Sequence, residues 1–246
     1  MFSYSVNEWL LLFYIYCFLG WCFESSYVSL RTKHWVNRGF LKAPILPLYG
    51  SGAILLLVVS RAFEGNIILT YLVGLIAATL LEFSVGMVME RIFKIKYWNY
   101  TNQRFNVKGH ICLTSSIAWG FMTLLVTRVI HEPIAAVVVA LPNIVKGAGV
   151  LLLTAIFIWD FAVSLCAALD LRDLLIRLQK SDIERSELTG EKEDRLEQIQ
   201  AELTAKFEVR ISRLQEMIEG SNPKSLDEIK KEYKKWRKLF GQRAQL

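Results

Sequence analysis

The chain has 246 residues, of which 53% are hydrophobic and 21% are charged, and its formal net charge is +6. The apolar residues concentrate before residue 172, which excludes an ordinary soluble domain of this length. Up to residue 180 there are 15 Lys and Arg against 9 Asp and Glu, and beyond it 14 against 14. We therefore divide the chain into a basic membrane domain, residues 1–180, and a neutral charged tail, residues 181–246.

Five apolar stretches are long enough to cross the roughly 30 Å hydrocarbon core of a bilayer. The sequence predicts spans at about residues 7–30, 45–61, 67–91, 110–130 and 148–171. The stretch from Pro133 to Val145 is shorter and contains Pro142, which favours a re-entrant or interfacial segment. The predicted fold class is all-α: a polytopic transmembrane helix bundle of about five spans with this short extra segment and a cytoplasmic helical tail.

The basic residues predict the orientation, because Lys and Arg in short loops stay on the cytoplasmic side. Those loops follow the first, third and fifth spans. We therefore predict a multi-pass protein of the cell membrane with the amino terminus outside and the carboxyl terminus cytoplasmic. The basic residues concerned are Arg31, Lys33, Arg38, Lys42, Arg91, Lys94, Lys96, Arg104, Lys108, Arg172, Arg177 and Lys180.

Three acids lie inside predicted spans: Glu24, Glu82 and Asp160. An acidic side chain at the centre of such a helix costs about 2.5 to 3.5 kcal/mol, so something must compensate, and function is the usual reason. In the third span, small and acidic residues recur every fourth position and form one helical stripe that favours close packing of a neighbouring helix. The stripe consists of Gly74, Ala78, Glu82, Gly86 and Glu90.

We predict that these polar groups line a cavity open to the cytoplasm, with Arg38 at its mouth. The alternative for each acid is a hydrogen bond between helices or an ion pair with a nearby Arg. Arg38 is the candidate cation for a phosphate or carboxylate, whereas Gly39 and Pro47 also fit a plain turn into a helix start. The candidate substrate- or ion-binding residues are Glu24, Glu82, Glu90, Asp160, Arg38, Asn37, Tyr49, Ser115, Ser116 and Asn106.

No catalytic residue, metal site or cofactor is assigned from the sequence. His34, His110 and His131 each lack a second histidine at helical spacing, and the four cysteines form no Cys-x-x-Cys pair. The chain also has no Gly-x-x-x-x-Gly-Lys-[Ser/Thr] motif for cradling phosphate. Whether the protein is an enzyme stays open at this stage.

A set of short motifs across residues 8–170 resembles the ABC-transporter permease family of the CmpB type. The resemblance implies a bacterial multi-spanning membrane protein with a permease function. Because the chain lacks a phosphate loop, it also implies a separate nucleotide-binding ATPase subunit. The motifs are Trp21-Cys22-Phe23-Glu24, Asn37-Arg38-Gly39-Phe40-Leu41, Pro44 through Tyr49-Gly50, Glu82, Glu90, Trp98-Asn99-Tyr100, Phe105-Asn106, Gly109-His110-Ile111-Cys112 and Trp119-Gly120.

The tail predicts two amphipathic helices separated by Asn222-Pro223. The spacing of apolar residues in the first is helical without a clean heptad, which is compatible with pairing to another helix but not with a long left-handed coiled coil. The second combines Tyr233, Trp236 and Phe240 with many lysines, a pattern typical of an anchor on the membrane surface. Packing on the preceding helix is the alternative, and no nucleic-acid partner is expected.

Transport is the function that this pattern favours most. A membrane-embedded enzyme acting on a lipid or another amphiphile by acid-base chemistry is the main alternative. A non-catalytic membrane scaffold is the second alternative. The predicted partners are the lipid bilayer and a separate ATPase subunit, and homo-oligomerisation stays open.

Overall fold

The computed structural model describes residues 4–37, 39–94 and 96–186, and these form a bundle of α-helices. Arg38 and most of the tail, residues 187–246, lie outside the described residues, and so do the predictions made for them. The helices are α1 (Val6–Thr32), α2 (Pro47–Ser60), α3 (Ile67–Phe93), α4 (Leu113–Leu125), α5 (His131–Ala140) and α6 (Asn143–Ser186).

Helix α2 lies in the middle of the bundle, between α1 and α3. Helix α4 packs along α3, and α5 and α6 pack against α1. Four helical segments are long and apolar enough to cross a membrane: Val6–Arg31, Ile67–Phe93, Leu113–Ala140 and Asn143–Asp170. The segment Pro47–Phe63 is apolar but shorter. The predicted helix bundle is therefore confirmed.

Large apolar side chains cover the outside of the bundle, as expected where lipid replaces water. Leu80 is 61% exposed, Leu151 is 74% exposed and Ile144 is 86% exposed. The opposite side of α3 buries Gly74, Ala78, Glu82 and Gly86, so the predicted stripe does face protein. Helix α4 approaches the stripe closely at Gly74, where an added Cβ would overlap the side chain of Thr123 on α4.

The structure differs from the sequence prediction at Pro133 to Val145. Pro133 lies inside α5, which continues α4 through a π-helical turn over Val126–Ile130. In that turn the N–H of His131 bonds the carbonyl of Val126, five residues back. We attribute the continuity to this wider turn, because it precedes a proline that cannot donate a hydrogen bond. The helix ends only at Leu141, whose extended ψ of 143° is usual for the residue before a proline.

Non-helical backbone enters the bundle instead between α1 and α2. The backbone N–H of Leu46 bonds the carbonyl of Cys17 at 3.1 Å, and Cys17 lies near the middle of α1. Leu41 is fully buried and packs with Ile45, Cys17 and Phe157. Irregular backbone is tolerated at membrane depth only where protein or water satisfies its polar groups. This entry loop, residues 39–46, is therefore held inside the bundle by its contacts with α1.

Candidate functional site

Glu24 on α1 is joined to Tyr49 at the start of α2. The Tyr49 hydroxyl donates a hydrogen bond to Oε1 of Glu24 at 2.6 Å. Gly20, one turn before Glu24, makes this possible, because a Cβ there would overlap the Tyr49 ring. The glycine and glutamate of this turn thus act together, one admitting the aromatic ring and the other binding its hydroxyl.

Glu82 on α3 is buried, with 5% of the residue exposed, and accepts hydrogen bonds from two aromatic side chains. Nε1 of Trp119 donates to Oε2 at 3.1 Å, and the hydroxyl of Tyr100 donates to Oε1 at 3.2 Å. The hydroxyl of Ser115 is also within hydrogen-bonding reach. Among the described residues, every hydrogen-bond donor to Glu82 is neutral.

The two acids meet through their aromatic partners. The ring centroids of Tyr49 and Trp119 are 5.4 Å apart, with their planes inclined at 42°. We call Glu24, Tyr49, Glu82, Tyr100 and Trp119 the acid–aromatic network. It draws one residue or more from α1, α2, α3, α4 and the loop before α4, so it lies where these elements converge.

Tyr100 comes from a folded loop rather than a helix. Its backbone N–H bonds the carbonyl of Gly109 at 2.9 Å, and Trp98 Nε1 bonds the carbonyl of His110 at 2.7 Å. Burial raises the pKa of Tyr100, and the nearby charge of Glu82 raises it further. The phenol therefore stays protonated and remains a hydrogen-bond donor to Glu82.

Three further candidate residues lie in the loop before α4 or at the start of that helix. Asn106 bonds the carbonyls of Thr101 and Gln103 and accepts from the N–H of Gly109, which fixes the loop. Ser115 also closes a capping box with Cys112 at the start of α4, and Ser116 is half-buried beside it.

Glu90 contacts His110 and Lys96 of the same loop, and within the described residues no ion pair joins it to its neighbour Arg91. Nε2 of His110 lies 2.9 Å from one Glu90 oxygen and Nζ of Lys96 lies 3.6 Å from the other. His110 is buried, which places this contact at the base of the loop. Glu90 thus follows the ion-pair alternative with partners that the sequence did not predict.

Asp160 and Asn37 both hold the segment before α2. Oδ2 of Asp160 accepts the backbone N–H of Ala43 at 2.8 Å, so α6 anchors the entry loop. Asn37 accepts from Nε1 of Trp21 at 2.6 Å and donates to the carbonyl of Lys42. Within the described residues, no hydrogen bond connects Asp160 to the acid–aromatic network. The structure thus brings Glu24 and Glu82 together, while Asp160 serves a separate contact.

A second polar group lies near the beginning of α1, and sequence reasoning missed it. Nζ of Lys146 bonds Oε1 of Glu8 at 2.6 Å and the carbonyl of Val139 at 2.9 Å. The hydroxyl of Tyr16 lies 2.8 Å from Nδ1 of His131, and Tyr4 lies 3.3 Å from Nε2 of the same ring. We call Tyr4, Glu8, Tyr16, His131 and Lys146 the amino-terminal cluster. The available signal was a lysine at the edge of an apolar run, which suggested only a loop position.

An apolar cavity of about 100 Å³ lies between the two polar groups. Tyr49 and Trp119 line it beside the acid–aromatic network, and Tyr16 lines it beside the amino-terminal cluster. Glu24 and Glu82 are not among its described lining residues. The other lining residues are Leu19, Gly20, Phe23, Ala53, Leu56, Met122, Leu125, Val126 and Ile130.

None of the described residues forms a group of three His, Cys, Asp or Glu side chains that could hold a metal ion. The groups that the structure brings together at the site are carboxylates, neutral hydrogen-bond donors and aromatic rings. These groups can bind a cation or a proton and can present apolar surface to a ligand.

Comparison with known proteins identifies the family. A family model of the CmpB type, described as "Putative ABC-transporter type IV", matches residues 11–165. The chain belongs to this family. The match includes Glu24, Glu82 and Asp160, whereas Glu8 precedes it. No curated protein and no solved structure matches the chain.

Family membership confirms the resemblance drawn from the short motifs. Together with the four long apolar helices, it establishes a multi-pass membrane protein of an ABC-transporter-type family. The acid–aromatic network falls within the matched region, because its residues run from Glu24 to Trp119. Family membership therefore supports a functional proposal about this network.

Proposed function

We propose that the protein is a permease, an integral membrane transport protein whose substrate path passes the acid–aromatic network. One observation carries the proposal: Glu82 is buried in a membrane-spanning helix, and among the described residues only neutral groups donate hydrogen bonds to it. Acids in such positions are costly and commonly mark ion, proton or substrate pathways. Glu82 is thus the residue that binds a transported cation or a coupling proton.

Glu24 supports this role from α1, on the other side of α2. The two carboxylates are linked through the adjacent rings of Tyr49 and Trp119, so they belong to the same polar region. Two nearby carboxylates attract a cation more strongly than one does, and the aromatic donors keep both in fixed orientations. The neutral donors Trp119 and Tyr100 hold Glu82 in place without supplying the positive charge that a substrate would bring.

The orientation and the partner belong to the same proposal. The amino terminus lies outside and the carboxyl terminus lies in the cytoplasm, because this places the basic loops inside. A separate nucleotide-binding ATPase subunit supplies the energy, since the chain has no phosphate-cradling motif. It docks on the cytoplasmic side, where the loop of residues 96–112 presents Arg104, Lys108 and the 79%-exposed Phe105.

The experiment compares everted membrane vesicles that contain the wild-type protein, Glu82→Gln, Glu64→Gln or no copy of the chain. Vesicles receive a cell metabolite extract and ATP, and mass spectrometry identifies the compounds that accumulate inside. Glu64 is the matched control, because it is exposed in the turn after α2 and undergoes the same substitution. Immunoblotting of the membranes checks that all variants are inserted in equal amounts.

We expect at least one compound to accumulate with the wild-type protein and with Glu64→Gln, and to fall to background with Glu82→Gln. Equal accumulation with Glu82→Gln would contradict the role of this acid. A chemically modified lipid in place of an accumulated compound would instead identify a membrane enzyme and overturn the permease assignment.

A further inference from the structure

The apolar cavity adjoins the acid–aromatic network through the rings of Tyr49 and Trp119. The polar ends of these rings are turned away from it, because the Tyr49 hydroxyl bonds Glu24 and the Trp119 N–H bonds Glu82. The cavity therefore meets ring carbon, and a carboxylate is hydrogen-bonded at the polar edge of each ring.

This arrangement favours a cation over a neutral or anionic ligand. Aromatic faces carry partial negative charge and attract cations, most strongly for Trp and when water is excluded. An O–H or N–H group that donates to a carboxylate shifts electron density toward the ring, which strengthens that attraction. The same carboxylates repel an anion placed against these rings.

The lining also selects the kind of cation. A primary ammonium group needs hydrogen-bond acceptors for its three N–H groups, and leaving them unpaired in an apolar site is costly. A quaternary ammonium group has no N–H to satisfy. The cavity is small, at about 100 Å³, so it favours a compact methylated head group over a bulkier one.

The cavity is open toward the lipid-facing surface between α1 and α4. Three of its lining residues are partly exposed there: Phe23 at 53%, Leu125 at 42% and Leu19 at 37%. An alkyl chain attached to the head group would leave through this opening into the bilayer. The ligand that fits both parts is thus an amphiphile.

We propose that this cavity binds the head group of an amphiphilic quaternary ammonium cation, held against the faces of Tyr49 and Trp119. The inference rests on the proposed permease function, because it names the substrate class of the same site. The head group contacts the rings, and the carboxylates of Glu24 and Glu82 act through them.

The test measures saturable binding of radiolabelled decyltrimethylammonium to the full chain in lipid nanodiscs, with empty nanodiscs subtracted. Unlabelled decylammonium and decyl sulfate, which have the same chain length, serve as competitors. The variants are Trp119→Leu, which removes the ring, and Tyr49→Phe, which keeps the ring but loses the bond to Glu24. Phe121→Leu is the control, because Phe121 is an exposed aromatic residue of α4 outside the cavity lining.

We expect one saturable binding site per chain. Decylammonium should displace the radiolabelled ligand at least tenfold less effectively than unlabelled decyltrimethylammonium does, and decyl sulfate should not displace it at all. Trp119→Leu should weaken binding at least tenfold, Tyr49→Phe a few-fold, and Phe121→Leu not at all. Competition by decyl sulfate, equal competition by decylammonium, or an unchanged affinity in both Trp119→Leu and Tyr49→Phe would overturn the inference. The competitor results need no variant, so they decide even if Trp119→Leu does not fold.

The two proposals fail in distinguishable ways. Absence of saturable binding, with Glu82-dependent accumulation still present in vesicles, would overturn the cation class and leave the permease proposal intact. Saturable binding with no compound accumulated in vesicles would support the cation site and overturn the permease proposal.

Discussion

The amino-terminal cluster and the acid–aromatic network both bury a carboxylate among membrane-spanning helices, but the groups that bond the two carboxylates differ in charge. Glu8 bonds Lys146 at 2.6 Å, and their side chains are 11% and 7% exposed. Glu82 has hydrogen bonds from Trp119 and Tyr100, which are neutral. The first region is a closed ion pair that ties α1 to α6. The second leaves its carboxylate with neutral hydrogen-bond donors among the described residues, as the proposed cation or proton pathway requires.

Removing the cation of the closed pair should have the largest effect on stability. Lys146→Met leaves the carboxylate of Glu8 without its ammonium partner, so the protein should be clearly less stable. Denaturant titration of the purified protein in detergent would measure the lower free energy of unfolding. The double variant Glu8→Gln with Lys146→Met should recover most of the loss. A loss below about 1 kcal/mol for Lys146→Met would show that the pair is not a stabilising contact.

Asp160 is a third acid for this comparison, because it accepts a hydrogen bond from the backbone of the entry loop. Asp160→Leu leaves the N–H of Ala43 without its acceptor, at a cost of about 1 to 3 kcal/mol. Hydrogen-exchange mass spectrometry should then show faster exchange in residues 39–46. Asp160→Asn keeps an oxygen acceptor and should remain close to the wild type. Unchanged exchange in Asp160→Leu would mean that the entry loop does not depend on this bond.

The sequence predicted what depends on local spacing. The buried side of α3 follows from the four-residue repeat of Gly74, Ala78, Glu82 and Gly86, because a helix places such residues on one face. The helix bundle followed in the same way from the length of the apolar runs. The bond between Tyr49 and Glu24 links neighbouring helices within the region where polar residues were expected to meet.

Contacts between distant parts of the chain could not be read in this way. Asp160 meets the backbone of Ala43, 117 residues away, and Lys146 meets Glu8, 138 residues away. No periodicity in either segment encodes these pairs.

The segment from Pro133 to Val145 was predicted as a separate short element because of its length and Pro142. A π turn over Val126–Ile130 instead joins its first part, up to Ala140, to α4.

A smaller effect is expected within the acid–aromatic network. Tyr49→Phe removes one hydrogen bond to Glu24 but keeps the ring contact with Trp119, so the free energy of unfolding should fall by about 1 kcal/mol. Thermal unfolding in detergent measures this change. Tyr27→Phe, at an exposed position of α1, is the control and should have no effect. A loss as large as that of Lys146→Met would make the network a stabilising element like the amino-terminal cluster.

The smallest effect on stability should accompany the largest effect on function. In Glu82→Gln the amide oxygen can accept from the N–H of Trp119 and the amide NH2 can donate to the hydroxyl of Tyr100, so the free energy of unfolding should change by less than about 1 kcal/mol. Glu8→Gln should do the opposite, because it leaves the ammonium group of Lys146 buried without its partner charge.

The most direct test measures both properties, the free energy of unfolding and ATP-dependent accumulation per inserted molecule, in Glu82→Gln and Glu8→Gln side by side. We predict that Glu82→Gln is stable and inactive, and that Glu8→Gln is destabilised but active where it is inserted. A Glu82→Gln protein that transports like the wild type would contradict the claim that Glu82 carries the charge of the transport pathway.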